Sequence, residues 1–179
     1  MAAPAWPRHS ALSYKHEHGP FAQCQCRWPQ WLPTQDPPLP LNIVLIEDHA
    51  EFREQLCNRL QIIDNVRVVH TEDTALAARQ WLAEHPHEWD VLVVDLFLAS
   101  GHGFQVLAAA KDRLARQQAV LLTSYTRDPV REQARKFGAD AVFDKAFELS
   151  QFLAHVEGCC KAKDREVREG SPHVAALAA

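Results

Sequence analysis

The sequence of 179 residues contains no uninterrupted apolar run close to the roughly 20 residues that a helix needs to cross a bilayer. Its first 20 residues also lack the apolar stretch of about 7–15 residues that a secretory leader carries after its basic residues. A membrane-spanning role is therefore excluded, and no secretory signal is expected.

Cysteine is scarce and scattered. The five cysteines are an odd number without the density of a small disulfide scaffold. They are Cys24, Cys26, Cys57, Cys159 and Cys160. This usage favours a reduced protein, and we expect a cytoplasmic location.

Positive charge is also in short supply. Residues 41–158 hold 18 acidic against 12 basic residues, a net charge of −6, and each flank carries +1. An acidic body repels a phosphate backbone, so direct binding to nucleic acid is not expected. No segment repeats at a fixed period either, which excludes a solenoid.

Composition divides the chain into three parts. Residues 1–40 contain eight of the eleven prolines and three of the five tryptophans without a periodic apolar pattern, so they are predicted to be a disordered extension. Residues 159–179 are predicted to be a polar and Ala-rich tail, too short to bury a core of its own. Residues 41–158 are left as the single folded domain.

Within that domain, short apolar runs alternate with amphipathic stretches. The runs are 41–46, 66–70, 90–98, 119–125 and 141–145, and three of them are nearly continuous in apolar residues, as is typical of strands covered on both faces. Strict alternation of strand and helix predicts an α/β fold with a doubly wound, five-stranded parallel sheet and helices on both faces.

The segments between the runs show helical spacing of apolar residues, for example at Phe52, Leu56 and Leu60. Asp128 before Pro129 predicts a helix N-cap, and Gly138 predicts the end of the same helix.

Chemically capable side chains stand at the ends of four of the five predicted strands. Ligands of such sheets bind at the carboxyl ends of the strands, where Glu47 and Asp48, Asp95, Thr123 and Lys145 are expected to converge. Three carboxylates held together call for a hard cation with oxygen ligands, and Mg²⁺ is the simplest choice. A lysine and a hydroxyl facing the same point suit a phosphoryl group.

A family resemblance rests on these positions together. The chain resembles the CheY-like (flavodoxin-like) receiver domain of two-component response regulators over about residues 41–158. The matching motifs, in order and spacing, are Glu47-Asp48, Asp95 with Gly103 eight residues later, Thr123-Ser124 and Asp144-Lys145.

The resemblance implies that Asp95 accepts a phosphoryl group from a histidine kinase or a histidine phosphotransfer protein. It also implies that Asp48, Asp95 and the backbone carbonyl of Phe97 bind Mg²⁺, with Glu47 acting mainly through water.

It further implies that Lys145 pairs with the phosphoryl group and that Thr123 moves toward it, so that the domain signals to a downstream target by a change of shape. A receiver is a phosphoacceptor signalling domain rather than an enzyme, apart from its own phosphorylation and dephosphorylation. We expect a stand-alone domain, and a second copy of the chain is a further candidate partner.

Two of the positions that depart from the family pattern bear on whether the domain can switch. Val142 stands where an aromatic switch residue is usual, and Ala146 replaces the proline that usually follows the lysine in a cis bond. An alternative function is therefore a pseudo-receiver that binds a partner without being phosphorylated. A separate hypothesis is that Phe97 and Tyr125 shield an acyl phosphate from water.

Overall fold

The computed structural model describes residues 39–169, in which strands and helices alternate. The strands are β1 (Leu41–Ile46), β2 (Val66–Glu72), β3 (Val91–Val94), β4 (Gln118–Thr123) and β5 (Ala141–Asp144). The helices are α1 (Ala50–Gln61), α2 (Ala75–Glu84), α3 (Gly103–Ala109), α4 (Asp128–Lys136) and α5 (Leu149–Glu169). The predicted extension falls outside the described residues, apart from Leu39 and Pro40.

All five strands are parallel and lie in the order β2-β1-β3-β4-β5, which confirms the predicted doubly wound sheet. Alternate residues of a strand face opposite sides of a sheet. In β1, Val44 and Ile46 therefore pack with α2, α3 and α4, whereas Ile43 and Leu45 pack with α1 and α5. Because all five strands are parallel, every strand's carboxyl end lies at the same edge of the sheet.

Three element boundaries differ from the predictions. The third strand is shorter than the predicted 90–98, because the chain leaves the sheet after Asp95, whose N–H still donates to the carbonyl of Ile46 over 2.9 Å. The N-cap of α4 is Arg127, whose side chain makes no capping hydrogen bond, and the predicted cap Asp128 is instead the first helical residue. Finally, α5 runs past residue 158 to Glu169.

The predicted end of α4 is confirmed. Gly138 has a φ of +102°, its N–H donates to the carbonyl of Arg135, and the next N–H, of Ala139, donates to that of Ala134. This is the backbone reversal for which a residue without a Cβ is favoured. Within residues 39–169, no helix is both long and apolar enough to span a bilayer.

Candidate functional site

The carboxylates of the site are positioned by the ends of β1 and β3. The N–H of Glu47 donates to the carbonyl of Glu72 over 2.9 Å, which extends the β1–β2 ladder by one residue. Asp95 is held one residue beyond β3 in the same way, against β1. Because β1 and β3 are neighbours in the sheet, these two acidic residues lie side by side at its carboxyl edge.

Lys145 joins the two carboxylates. Its Nζ lies 2.6 Å from Oε2 of Glu47 and 2.8 Å from Oδ2 of Asp95. The side chains are 13%, 2% and 11% exposed for the lysine, the glutamate and the aspartate, so both ion pairs are shielded from water. The sequence-predicted lysine therefore reaches the phosphoacceptor candidate directly.

Asp48 completes an acidic cluster with Glu47 and Asp95. Each residue offers a carboxylate oxygen, and these three oxygens lie within 4.8 Å of one another. Three negative charges against the single charge of Lys145 leave an excess of two, which a divalent cation would balance. Carboxylate oxygens are the donors that Mg²⁺ prefers, so the residues present fit this ion.

Burial dominates the electrostatics of Glu47. It raises the pKa of this carboxyl above the ordinary value of 4.5, and the negative charge of Asp95 acts in the same direction. The hydrogen bond and the charge of Lys145 oppose this rise in pKa, as does the N–H of His49. Glu47 thus depends on a nearby cation to stay ionised in its buried position.

The carboxylate of Asp95 is oriented by its own loop. Oδ1 accepts a hydrogen bond from the N–H of Leu96 over 2.6 Å, while Oδ2 faces Lys145. Gly103 packs against this loop so closely that a Cβ at this position would lie 2.1 Å from the carbonyl oxygen of Asp95. The glycine eight residues after the aspartate is therefore a steric requirement of the site.

Thr123 lies at the end of β4 and is fully buried. Its carbonyl accepts from the N–H of Lys145 over 3.1 Å, which places the two residues on adjacent strand ends. Its Oγ1 lies 3.4 Å from the N–H of Tyr125 and makes no hydrogen bond to the acidic cluster within the described residues. The predicted role of this hydroxyl remains a prediction.

Phe97 and Tyr125 lie beside the site as an edge-to-face pair, with ring centroids 4.8 Å apart. They are 48% and 58% exposed, so both rings lie at the surface of the domain. The predicted metal contact through the Phe97 carbonyl remains a prediction.

Several contributors to the site were not predicted from the sequence. The ring of Phe52 lies under Lys145, with Nζ 4.6 Å from its centroid. Arg53 donates from Nη1 to the carbonyl of Glu47 over 2.5 Å, and His49 caps α1 by accepting from the N–H of Phe52. The sequence feature that these residues share is their position at the N-cap or in the first turn of α1, directly after Glu47 and Asp48.

The two departures from the family pattern have clear structural settings. Val142 is buried with α4, whereas Phe143 faces α5 on the other side of the sheet, so the neighbouring aromatic does not replace the missing one. Among the described residues every peptide bond is trans, including the bond before Ala146. The N–H of Ala146 donates to Oδ1 of Asp144.

Comparison with known proteins agrees with this architecture. The model of a family described as the response regulator receiver domain matches residues 43–157. The signal receiver domain of NarL from Mycobacterium tuberculosis is 26% identical and superimposes with a TM-score of 0.61, covering 69% of this chain and 98% of that one. A chain of the complex between the CheA3 P1 domain and CheY6 from R. sphaeroides is 24% identical, with a TM-score of 0.56 and coverage of 69% and 98%.

The chain matches only part of the length of a curated relative. The transcriptional regulatory protein NarL of Mycobacterium tuberculosis is 26% identical over 127 residues, which are 71% of this chain. The match spans 58% of the length of that relative.

Proposed function

The chain belongs to the response regulator receiver family, and from that premise we propose that Asp95 is the residue that accepts the phosphoryl group. Receiver domains of two-component systems act in phosphorelay signalling, and this chain is a receiver domain. The observation that supports Asp95 is its shielded carboxylate, which is held between the acidic cluster and the ammonium group of Lys145.

In the proposed reaction, a carboxylate oxygen of Asp95 attacks the phosphorus of a phosphohistidine. A P–O bond forms, the P–N bond breaks, and the released imidazole nitrogen takes a proton from water. The carboxylate is already ionised, so no general base is required. Mg²⁺, held by Asp48, Asp95 and the Phe97 carbonyl with Glu47 behind them, would supply charge neutralisation of the phosphoryl oxygens when bound.

Lys145 is proposed to act as the sensor of the product. Phosphorylation converts the single charge of Asp95 into about two negative charges, and the ammonium group is already in contact with this carboxylate. A shift of Lys145 would be transmitted to Thr123 through their shared backbone hydrogen bond. The output is then a movement of the loops after β4 and β5.

The proposed partners are of two kinds. A histidine kinase or phosphotransfer protein would supply the phosphoryl group, which is supported by the CheA3 P1–CheY6 complex among the similar structures. A downstream target, or a second copy of the chain, would read the altered surface. The proposed location is cytoplasmic.

Incubation with Mg²⁺ and acetyl phosphate, followed by intact-mass measurement, tests this function. The wild-type chain should gain one phosphoryl group, and Asp95→Asn should gain none. Asp90→Asn is the matched control, because Asp90 is a buried aspartate that precedes β3 at the opposite end of the sheet. A wild-type chain that gains no mass would favour the pseudo-receiver, a partner-binding module without phosphorylation.

A further inference from the structure

The loop that follows Lys145 is organised around the side chain of the preceding residue. Asp144 is only 8% exposed, and its Oδ1 accepts from the N–H of Ala146 over 2.8 Å and from the N–H of Phe147 over 3.2 Å. A carboxylate that binds the N–H groups two and three residues ahead forces the backbone into a tight turn. Lys145 is the residue enclosed by that turn.

The second oxygen of the same carboxylate reaches another loop. Oδ2 of Asp144 accepts from the hydroxyl of Thr126 over 2.7 Å. Thr126 lies three residues after Thr123, in the connection between β4 and α4. Asp144 therefore ties the loop that carries the lysine to the loop that leaves the buried threonine.

A second carboxylate supports the first. Oε2 of Glu148 accepts from the N–H of Asp144 over 2.8 Å and from Nη2 of Arg131 over 2.7 Å. The same guanidinium donates to the carbonyls of Val142 and Thr126 over 2.8 and 3.1 Å. The pKa of Asp144 is lowered chiefly by the hydrogen bond from Thr126 and further by the one from the N–H of Ala146. The pKa of Glu148 is lowered chiefly by the hydrogen bond from Arg131.

We propose that Asp144 is a positioning residue for Lys145, holding the lysine backbone so that its ammonium group reaches Asp95. The proposal rests on the proposed function, because it assigns a role within the same site. Proline at position 146 would lack the N–H that Asp144 binds. Ala146 supplies that N–H, so a side-chain turn orients the lysine here.

Asp144→Ala and Asp144→Asn separate positioning from the charge of the carboxylate. Alanine removes both acceptors, and the rate of phosphorylation by acetyl phosphate should fall about tenfold, as expected for a misplaced charged group. Asparagine keeps one carbonyl oxygen for the N–H groups of Ala146 and Phe147, so it should restore the rate to within about threefold of wild type. Thr126→Val, which removes only the link to the other loop, should have an effect of about threefold.

Asp140→Ala is the matched control. Asp140 lies at the opposite end of β5, where its Oδ2 accepts from Nη2 of Arg113 over 2.6 Å and from the N–H of Ala119 over 2.7 Å. Its replacement should lower the midpoint of thermal unfolding without changing the rate of phosphorylation. An Asp144→Ala variant that is folded and reacts at the wild-type rate would overturn the proposal, as would Asp144→Asn reacting no faster than alanine.

A second readout is independent of phosphorylation. The amine of Lys145 should react slowly with an acylating reagent in the wild-type chain, because it is paired with two carboxylates. Peptide mapping should show at least about fivefold faster labelling of Lys145 in Asp144→Ala and no change in Asp140→Ala. A wild-type chain that is not phosphorylated would contradict the proposed function. Equal labelling of Lys145 in all three proteins would contradict the positioning inference, whether or not the chain is phosphorylated. Should alanine prevent folding, the same comparison is made with Thr126→Val, where unchanged labelling and rate would contradict the proposal.

Discussion

Replacement of Lys145 by methionine tests the electrostatic logic of the site. Methionine keeps most of the aliphatic side chain over Phe52 but removes the charge that pairs with Glu47 at 2.6 Å and with Asp95 at 2.8 Å. Removing one partner of a buried ion pair typically costs about 3–5 kcal/mol. We expect a loss of about this size in the free energy of unfolding at pH 8 with metal chelated.

The loss should depend on pH in a defined direction. Without Lys145 only the backbone N–H of His49 opposes burial and the charge of Asp95, so the pKa of Glu47 in the folded variant rises further above 4.5. A group with a raised pKa in the folded state contributes stability below its unfolded pKa, and that contribution disappears as pH rises through the folded pKa. The difference between wild type and variant should therefore become smaller as pH falls from 8 to 5.

Urea unfolding at both pH values, with and without Mg²⁺, measures these differences. Mg²⁺ should stabilise Lys145→Met more than wild type, because it replaces the missing cation. Lys163→Met is the matched control. Lys163 forms an ion pair of 2.6 Å with Asp90, which does not belong to the acidic cluster, so Mg²⁺ should not restore the stability of this variant. A Lys145→Met chain as stable as wild type at pH 8, or a difference that widens in acid, would refute the reasoning.

Three further predictions concern packing, burial and access to the site. Gly103→Ala should destabilise the fold by at least about 2 kcal/mol in urea unfolding, because the added Cβ would overlap a backbone carbonyl. The control Gly158→Ala should instead stabilise helix α5 by up to about 1 kcal/mol, since nothing lies within 4 Å of the added carbon. Burial lowers the pKa of His155, so its stabilising contribution is present above the unfolded value of 6.5 and is lost as pH falls through the folded pKa. His155→Phe should flatten the stability profile below pH 6.5, and a profile that keeps the wild-type slope would contradict this. Phe97→Ala with Tyr125→Ala should shorten the lifetime of the phosphorylated chain in a timed mass assay, and an unchanged lifetime would argue against shielding.

The fold could be predicted because its signals are local. Strands buried on both faces appear as short apolar runs, and amphipathic helices appear as residues spaced three and four apart. Element boundaries were predicted less well: β3 ends at Val94 because the chain leaves the sheet directly after Asp95, although apolar Leu96 and Leu98 follow. Likewise α4 begins at Asp128 itself, since a helix start depends on backbone angles that residue type only biases.

The residues of the acidic site could be predicted because parallel topology brings the carboxyl ends of the strands to one edge. The cluster of Glu47, Asp48 and Asp95, with Lys145 against it, needed only the positions of those ends. Thr123 shows the limit of this argument, because the strand end is where the topology requires it but the direction of its hydroxyl is a matter of rotamer and hydrogen bonding.

The sequence by itself determined the order of the strands and helices and which residues stand at the strand ends, because periodicity and chain order are properties of neighbouring residues. Only the tertiary structure decided that Lys145 pairs with Glu47, 98 residues earlier. It also decided that one carboxylate oxygen of Asp144 accepts a hydrogen bond from its own loop while the other accepts one from Thr126. Such contacts depend on side-chain directions and on distances of a few ångströms between segments far apart in the chain, where a shift of one ångström separates an ion pair from a gap.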